Sequence, residues 1–364
     1  MQDTMEVKKI DKYIFKKFIL TFIIAILLII GIVIIFDISE KIEQFVTNQA
    51  PLRAIVFDYY VNFVPYFMNM FSPLFVFLTV IFFTSKMAAN SEIIAILSSG
   101  VSYHRMMVPY LAGAAVIAAL SLGLNLFIIP RANRDRVAFE NQYVKTRSAY
   151  VKDVHYQIAP GQFVYVESFS QWNNTAYRLT LESVENNKLK SKLTCESAIW
   201  DSTSGAWTLR QYFIRDYIDG MQDRVRSGPV RDTVIDLDIA DFYRNSKTVE
   251  TLPHKALNQL IATQKMRGDS NVMYAQIEKN NRFSLPFSAF ILTIMGVSLS
   301  SRKRRGGIGW NIAIGIGLSF SYILFMKFSQ MFVYTGSLSA TVALWIPNVL
   351  FTIVTAVLYK LAPK

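Results

Sequence analysis

The chain has 364 residues, 52% of them hydrophobic and 14% aromatic, and carries a formal net charge of +12. The apolar residues gather towards the two ends and leave a polar, aromatic-rich middle, which excludes an ordinary soluble core and indicates an integral membrane protein. The lone Cys195 cannot form an internal disulfide, and His104, His155 and His254 are too scattered for an HExxH or paired-cysteine metal site.

In chain order, the first long apolar run is 18–36, "FILTFIIAILLIIGIVIIF", without a charge. It exceeds a signal-peptide core of roughly 7–15 residues and no small-residue cleavage site follows closely, so it reads as a retained span. The second run covers 61–83, interrupted by Asn62, Pro65, Asn69 and Pro73. Next comes "KMAANSEIIAILSSGVSYHRMMVP", which is too polar to cross a bilayer. Within it Ile93, Ile94, Leu97 and Val101 fall at i, i+1, i+4 and i+8, the spacing of one helical face. Ser91 and Glu92 stand at its start and Ser98-Ser99-Gly100 reads as its stop, which predicts a short amphipathic helix over 91–102. The third span follows at 106–129.

After the third span the pattern changes to a period of two. The stretches 162–168, 176–183, 192–200, 206–217 and 232–239 alternate apolar and polar residues or are β-branched and aromatic. Asn173-Asn174, Asn186-Asn187, Ser204-Gly205, Asp219-Gly220 and Gly228-Pro229 read as turns between them, which predicts an all-β, jelly-roll-like domain. Helical signals over 253–268 and on to 281 lead back to apolar runs at 283–301, 310–333 and 342–361. The expected fold is an α-helical membrane protein of six spans, three and three, with an inserted extracytoplasmic β domain. Its divisions are 1–130, 131–281 and 282–364.

Lysines and arginines flank the spans unequally. Lys8, Lys9, Lys12, Lys16, Lys17, Lys86, Arg105, Arg302, Lys303, Arg304, Arg305, Lys360 and Lys364 fall on one side, against Lys41 and Arg53 in short segments of the other. This predicts cytoplasmic termini and accounts for the basic charge as a topology signal rather than a nucleic-acid footprint. Three cations stand out beyond topology. Lys41 lies just past the first span, where it is either solvated beside Glu40 and Glu43 or a point-charge ligand for a phosphate. Lys327 is 22 residues beyond Arg305, roughly 33 Å of helix, which puts it near the outer headgroups, either snorkelling or facing a cavity. Arg282 follows Glu278 by four residues, so it is either a local ion pair or a basic group for the substrate. Trp172, Trp200 and Trp207 belong to the β domain, in its core or on a sheet face.

The order of these features, with "IDKYIFKKF" entering the first span, "SEIIAILSSGVS" before the third, "GQFVYVES" early in the β domain and "RFSLPFSAFILTIMGVSLS" opening the fourth, resembles the LptF/LptG permeases of the lipopolysaccharide-export ABC transporter. The resemblance implies a bacterial inner-membrane protein with a periplasmic β domain. It implies a second permease subunit, an LptB-like ATPase dimer that holds ATP and Mg, and an LptC-like and LptA-like bridge that receives lipopolysaccharide. It makes Ser91, Glu92, Ile93, Ile94, Leu97 and Val101 the ATPase-coupling helix. Lys41 matches a basic position of the family's substrate site, and Arg282 a basic position of its motif. The chain has no GxxxxGK[ST] loop, so a non-catalytic subunit without a cofactor of its own is expected. Two other readings remain open: a membrane-anchored sensor or assembly scaffold, and an ABC permease for another lipid or a lipoprotein.

Overall fold

The computed structural model describes residues 9–144, 150–202, 204–218, 222–237, 239, 242, 246–269, 271–301 and 307–362. Besides a single helical turn at Ser246–Val249, its helices are α1 (Lys9–Thr47), α2 (Leu52–Ala89), α3 (Glu92–Ser98), α4 (Tyr103–Val144), α5 (His254–Met266), α6 (Val272–Ser300), α7 (Gly307–Tyr334) and α8 (Ala340–Leu361). Between α4 and α5 lie β1 (Tyr150–Ala159), β2 (Gln162–Ser170), β3 (Thr175–Glu185), β4 (Lys188–Asp201), β5 (Ala206–Asp216) and β6 (Arg224–Thr233). Six helices, all but α3 and α5, are long and apolar enough to cross a membrane. Five of the expected apolar runs fall within one of them and the sixth, 283–301, ends one residue past α6; Arg302 to Arg305 lie outside the described residues.

The chain divides into two compact units. One comprises Met1–Phe139, Glu250–His254 and Gln276–Lys364; the other comprises Glu140–Val249 and Lys255–Ala275. In the helical unit, lipid offers no hydrogen bonds, so the polar side chains inside it find one another. Asn69 donates to Asn125 Oδ1 at 2.8 Å and accepts from Ser121 at 2.5 Å. Thr84 meets Tyr110 at 3.0 Å, Asn311 donates to Ser85 at 3.0 Å, and Tyr322 donates to Asn348 at 2.9 Å. These bonds tie α2 to α4, α2 to α7, and α7 to α8. Two stretches, Ile55–Tyr60 in α2 and Leu124–Ile128 in α4, widen to π-helical winding. Both hold residues with polar tasks, Tyr59 and Tyr60 in the first and Asn125 in the second, as such bulges often do.

The second unit is built on a six-stranded antiparallel sheet in which every neighbour is the next strand in sequence. Alternation gives it one apolar face. Val164 and Val166 of β2 are buried while Phe163 is exposed, and Leu179, Ala198, Trp207 and Leu209 continue the buried face. Trp207 is therefore core, and exposed Trp172 is not. The expected stretches 162–168, 176–183 and 192–200 fall inside β2, β3 and β4, and 206–217 coincides with β5 to within its last residue.

The last expected strand, 232–239, is corrected. Pairing stops at Thr233, and Ile235 and Leu237 pack into the sheet's core instead, with Leu237 N–H bonded to the Ile235 carbonyl at 2.7 Å. The Gly228-Pro229 turn is corrected too, because both residues lie within β6. As the edge strand, β6 tolerates a residue without an N–H. Gly228 suits the place because a Cβ there would come within 3.0 Å of the Tyr212 ring. β1 was not among the expected strands, although Val154, Tyr156 and Ile158 alternate and are buried.

Candidate functional site

The short helix α3 is the first candidate. Ser91 enters it with φ 64°, a left-handed conformation, so the chain turns sharply out of α2. Only Glu92–Ser98 is helical; Val101 lies in the link that follows, where Ser102 caps α4 by accepting from the Arg105 N–H at 3.3 Å. The four apolar residues expected on one face do not share a fate. Ile93 is 1% exposed and belongs to the bundle's core, with Leu97 packed partly against it, whereas Ile94 is 53% exposed. Adjacent helical residues are about 100° apart, so Ile93 faces inward and Ile94 outward. The outward surface of α3 is thus Ile94, Ala95 and Ser98, with Ser91 and Ser99 at its ends.

Glu92 is held by the chain itself. Its carboxylate accepts from the Tyr13 hydroxyl at 3.0 Å and from Asn90 at 3.3 Å, with Lys17 Nζ at 4.0 Å. Beside it, Asp11 of α1 takes both terminal nitrogens of Arg105 at 2.7 and 2.5 Å. No local spacing announces the Asp11–Arg105 pair, because its members are 94 residues apart.

The second candidate is the set of three cations. Lys41 is not paired with Glu40 or Glu43. Its Nζ lies 2.6 Å from Asp37 Oδ1, donates to the Tyr59 hydroxyl and sits 4.8 Å over the Tyr59 ring. Tyr59 and Tyr60 donate to the two oxygens of Asp37 at 3.2 and 3.1 Å. The Lys41 side chain is 16% exposed, so its charge is compensated and mostly covered. The four-residue spacing of Asp37 and Lys41 is the one sequence signal for this cluster; the two tyrosines come from α2 and had none.

Arg282 is 1% exposed. Its Nε lies 2.7 Å from Glu278, and it donates to the Leu252 carbonyl at 2.9 Å, so it ties α6 to the 250–254 segment of the same unit. Nη1 has no protein partner among the described residues. Glu250 of that segment meets Tyr66 at 3.5 Å and Asn133 at 3.4 Å, and Arg136 lies 4.6 Å over the Tyr66 ring. These residues form a covered polar layer that the sequence did not reveal.

Lys327 differs from both. It is exposed on α7, between exposed Leu324 and Phe328, and pairs with no acid among the described residues. The three cations stand in different surroundings: Lys41 and Arg282 are spent on internal partners, and Lys327 is open. No His, Cys, Asp and Glu cluster able to hold a metal occurs among the described residues.

A sequence model of one protein family, described as the lipopolysaccharide export system permease LptF/LptG, matches residues 12–361. No curated protein matches the chain.

Proposed function

The chain belongs to the LptF/LptG family of lipopolysaccharide export permeases, and on that premise we propose that it is the membrane subunit of an ABC transporter that lifts lipopolysaccharide from the outer leaflet of the inner membrane. The observation that carries this reading is the extent of the family match, which takes in all six spans and the sheet between them. A sensor or scaffold has no need of that whole arrangement. The subunit pairs with a second permease over an LptB-like ATPase dimer, which holds the ATP and Mg. It passes lipid by way of its periplasmic β domain to LptC-like and LptA-like bridge proteins.

In this mechanism α3 is the part the ATPase moves. The outward surface of Ile94, Ala95 and Ser98 enters a groove of that partner, as an amphipathic helix does in a protein groove. Closure of the paired subunits then narrows an apolar cavity and drives the acyl chains outward. Lys327, open and set among exposed apolar side chains, takes an anionic headgroup oxygen as a point charge. Lys41 joins it by turning from Asp37 to a phosphate, with Tyr59 and Tyr60 left to donate to the Asp37 carboxylate. Arg282 is left out of the headgroup site because its guanidinium is covered and committed to Glu278 and Leu252.

The test is purification from native membranes with lipid mass spectrometry and an ATP hydrolysis assay. The expected result is a complex with a separate ATPase that retains lipopolysaccharide. Replacing Lys41 and Lys327 together by Glu should strip the lipid and its stimulation of hydrolysis while the complex survives. Robust hydrolysis by this chain alone, or a different retained lipid, overturns the reading.

A further inference from the structure

α1 is attached to the bundle at its two ends by different means. Ile10, Ile14 and Phe18 of α1 share one apolar cluster with Ile93, Ile96 and Leu97 of α3 and with Tyr103 and Met106 of α4. Around that cluster stand polar ties from the same few turns of α1. Tyr13 donates to Glu92 at 3.0 Å, Lys17 donates to Tyr13 at 2.6 Å, and Asp11 grips Arg105 with both oxygens. The cluster takes in Ile19 and Phe22 as well; beyond them, and short of Asp37, α1 keeps only Ile26 and Ile30 buried, while Ile23, Ile24, Leu27 and Leu28 are exposed. At its far end α1 is held again, by Asp37 and Lys41 against Tyr59 and by Phe45, whose ring lies 5.9 Å from that of Tyr59 and 5.8 Å from that of Phe139.

We propose that the first turns of α1, α3 and the start of α4 move as one rigid body, so that a push on α3 is delivered into α1. Asp11, Tyr13, Lys17 and Arg105 are the positioning residues of that body. The inference rests on the reading of α3 as the ATPase contact and adds where the push goes. Apolar packing alone resists separation but lets helices slide. A two-pronged arginine–carboxylate pair fixes direction as well as distance, and the Tyr13–Glu92 bond adds a second point, so rotation is resisted too. On the other side, α3 leaves α2 through the sharp left-handed turn at Ser91. A push on α3 therefore tilts the base of α1 while the far end stays pinned. The stretch between the two holds, exposed on one side and packed through Ile26 and Ile30 on the other, must then swing or bend, which changes the apolar surface it offers to lipid.

The experiment uses the permease–ATPase complex in vesicles containing lipopolysaccharide. Asp11→Arg should lower ATP-driven lipid release at least tenfold while ATP hydrolysis changes less than twofold. The exchange Asp11→Arg with Arg105→Asp should recover most of the release, which a merely folded-state requirement for either residue does not predict. Spin labels at Lys12 on α1 and Ser99 beside α3, both exposed, should keep their separation within about 2 Å, the scale of small helix shifts, between nucleotide-free and ATP-trapped states. Buried Cys195 stays silent in the labelling. A charge exchange no better than Asp11→Arg alone, or a clear change in the label separation, overturns the proposal. If the unaltered chain binds no ATPase, it is the permease reading that fails, before the coupling question arises.

Discussion

Arg282 shows how a charge inside the bundle is kept. With its guanidinium almost wholly covered, the Glu278 carboxylate and the Leu252 carbonyl replace water. Arg282→Met leaves Glu278 uncompensated, and removal of one partner of a buried pair costs roughly 3 kcal/mol. The expected outcome is a clear drop in melting temperature in detergent, with Arg282→Met/Glu278→Leu recovering most of it. If the double variant melts no higher than the single, the pair is not what holds the 250–254 segment. Asp216 gives the corresponding case outside the membrane helices. It accepts from Ser191 at 2.8 Å and from Arg226 at 2.6 Å, joining β4, β5 and β6, and these bonds hold its carboxyl below the usual carboxylate range. A depressed folded pKa stabilises above the unfolded value and is lost as pH falls through the folded one. Unfolding of the β unit should therefore become easier as pH drops from about 5 to about 3. Asp216→Asn should lower stability at neutral pH and flatten that dependence; an unchanged slope would show that other carboxylates govern it.

At the scale of the element, the packing of α1 on α4 depends on Gly113. A Cβ there would fall 2.4 Å from Phe18 Cδ1 and 2.9 Å from Cε1. Phe18 cannot retreat, because it is fully buried and its ring faces Phe83 at 5.9 Å and Tyr110 at 6.5 Å. Gly113→Val should cost about 1–3 kcal/mol, the usual penalty for overfilling a packed core. A lower melting temperature of the purified protein would register it, and Phe18→Leu in the same chain should give part of it back. If Gly113→Val melts normally, the approach of the two helices is looser than these contacts require. The span over 106–129 is legible in the sequence, but nothing there singles out this glycine, since its neighbour Phe18 lies far away in the chain.

For the whole molecule, the arrangement of charge makes the sharpest prediction. Described lysines and arginines at the α3 end include Lys9, Lys12, Lys16, Lys17, Lys86 and Arg105, the side expected to remain in the cytoplasm. Single cysteines test this. A thiol placed at Ser98 should react with an impermeant reagent only after lysis, and one at exposed Trp172 should react in cells whose outer membrane alone is opened. Cys195 gives no background, because burial pushes its thiol up to about 11 and little thiolate forms. Labelling of Ser98→Cys in intact cells would invert the topology and remove α3 from reach of a cytoplasmic ATPase.

Six apolar runs were legible in the sequence because a bilayer demands about 20 apolar residues whatever else surrounds them. Most of the sheet was legible for a similar reason: one buried face imposes a period of two, visible in "QFVYVES" and "AYRLTLES". The presence of α3 was legible as well, since it stands as a polar interruption with apolar anchors. Tertiary structure alone decided what the anchors do. Ile93 and Ile94 are equally apolar letters, yet the direction of the Ser91 turn sends one into the core and the other outward. It also decided the state of the charges. Lys41 and Arg282 each have an acid four residues away, a spacing Lys327 lacks, but it takes neighbours from distant segments, Tyr59 for the first and the Leu252 carbonyl for the second, to complete the two internal ties, while the third is left open. Hydrophobicity is a property of each residue, so its pattern survives in one dimension; a charge's role depends on what stands within a few ångströms of it, which the fold supplies.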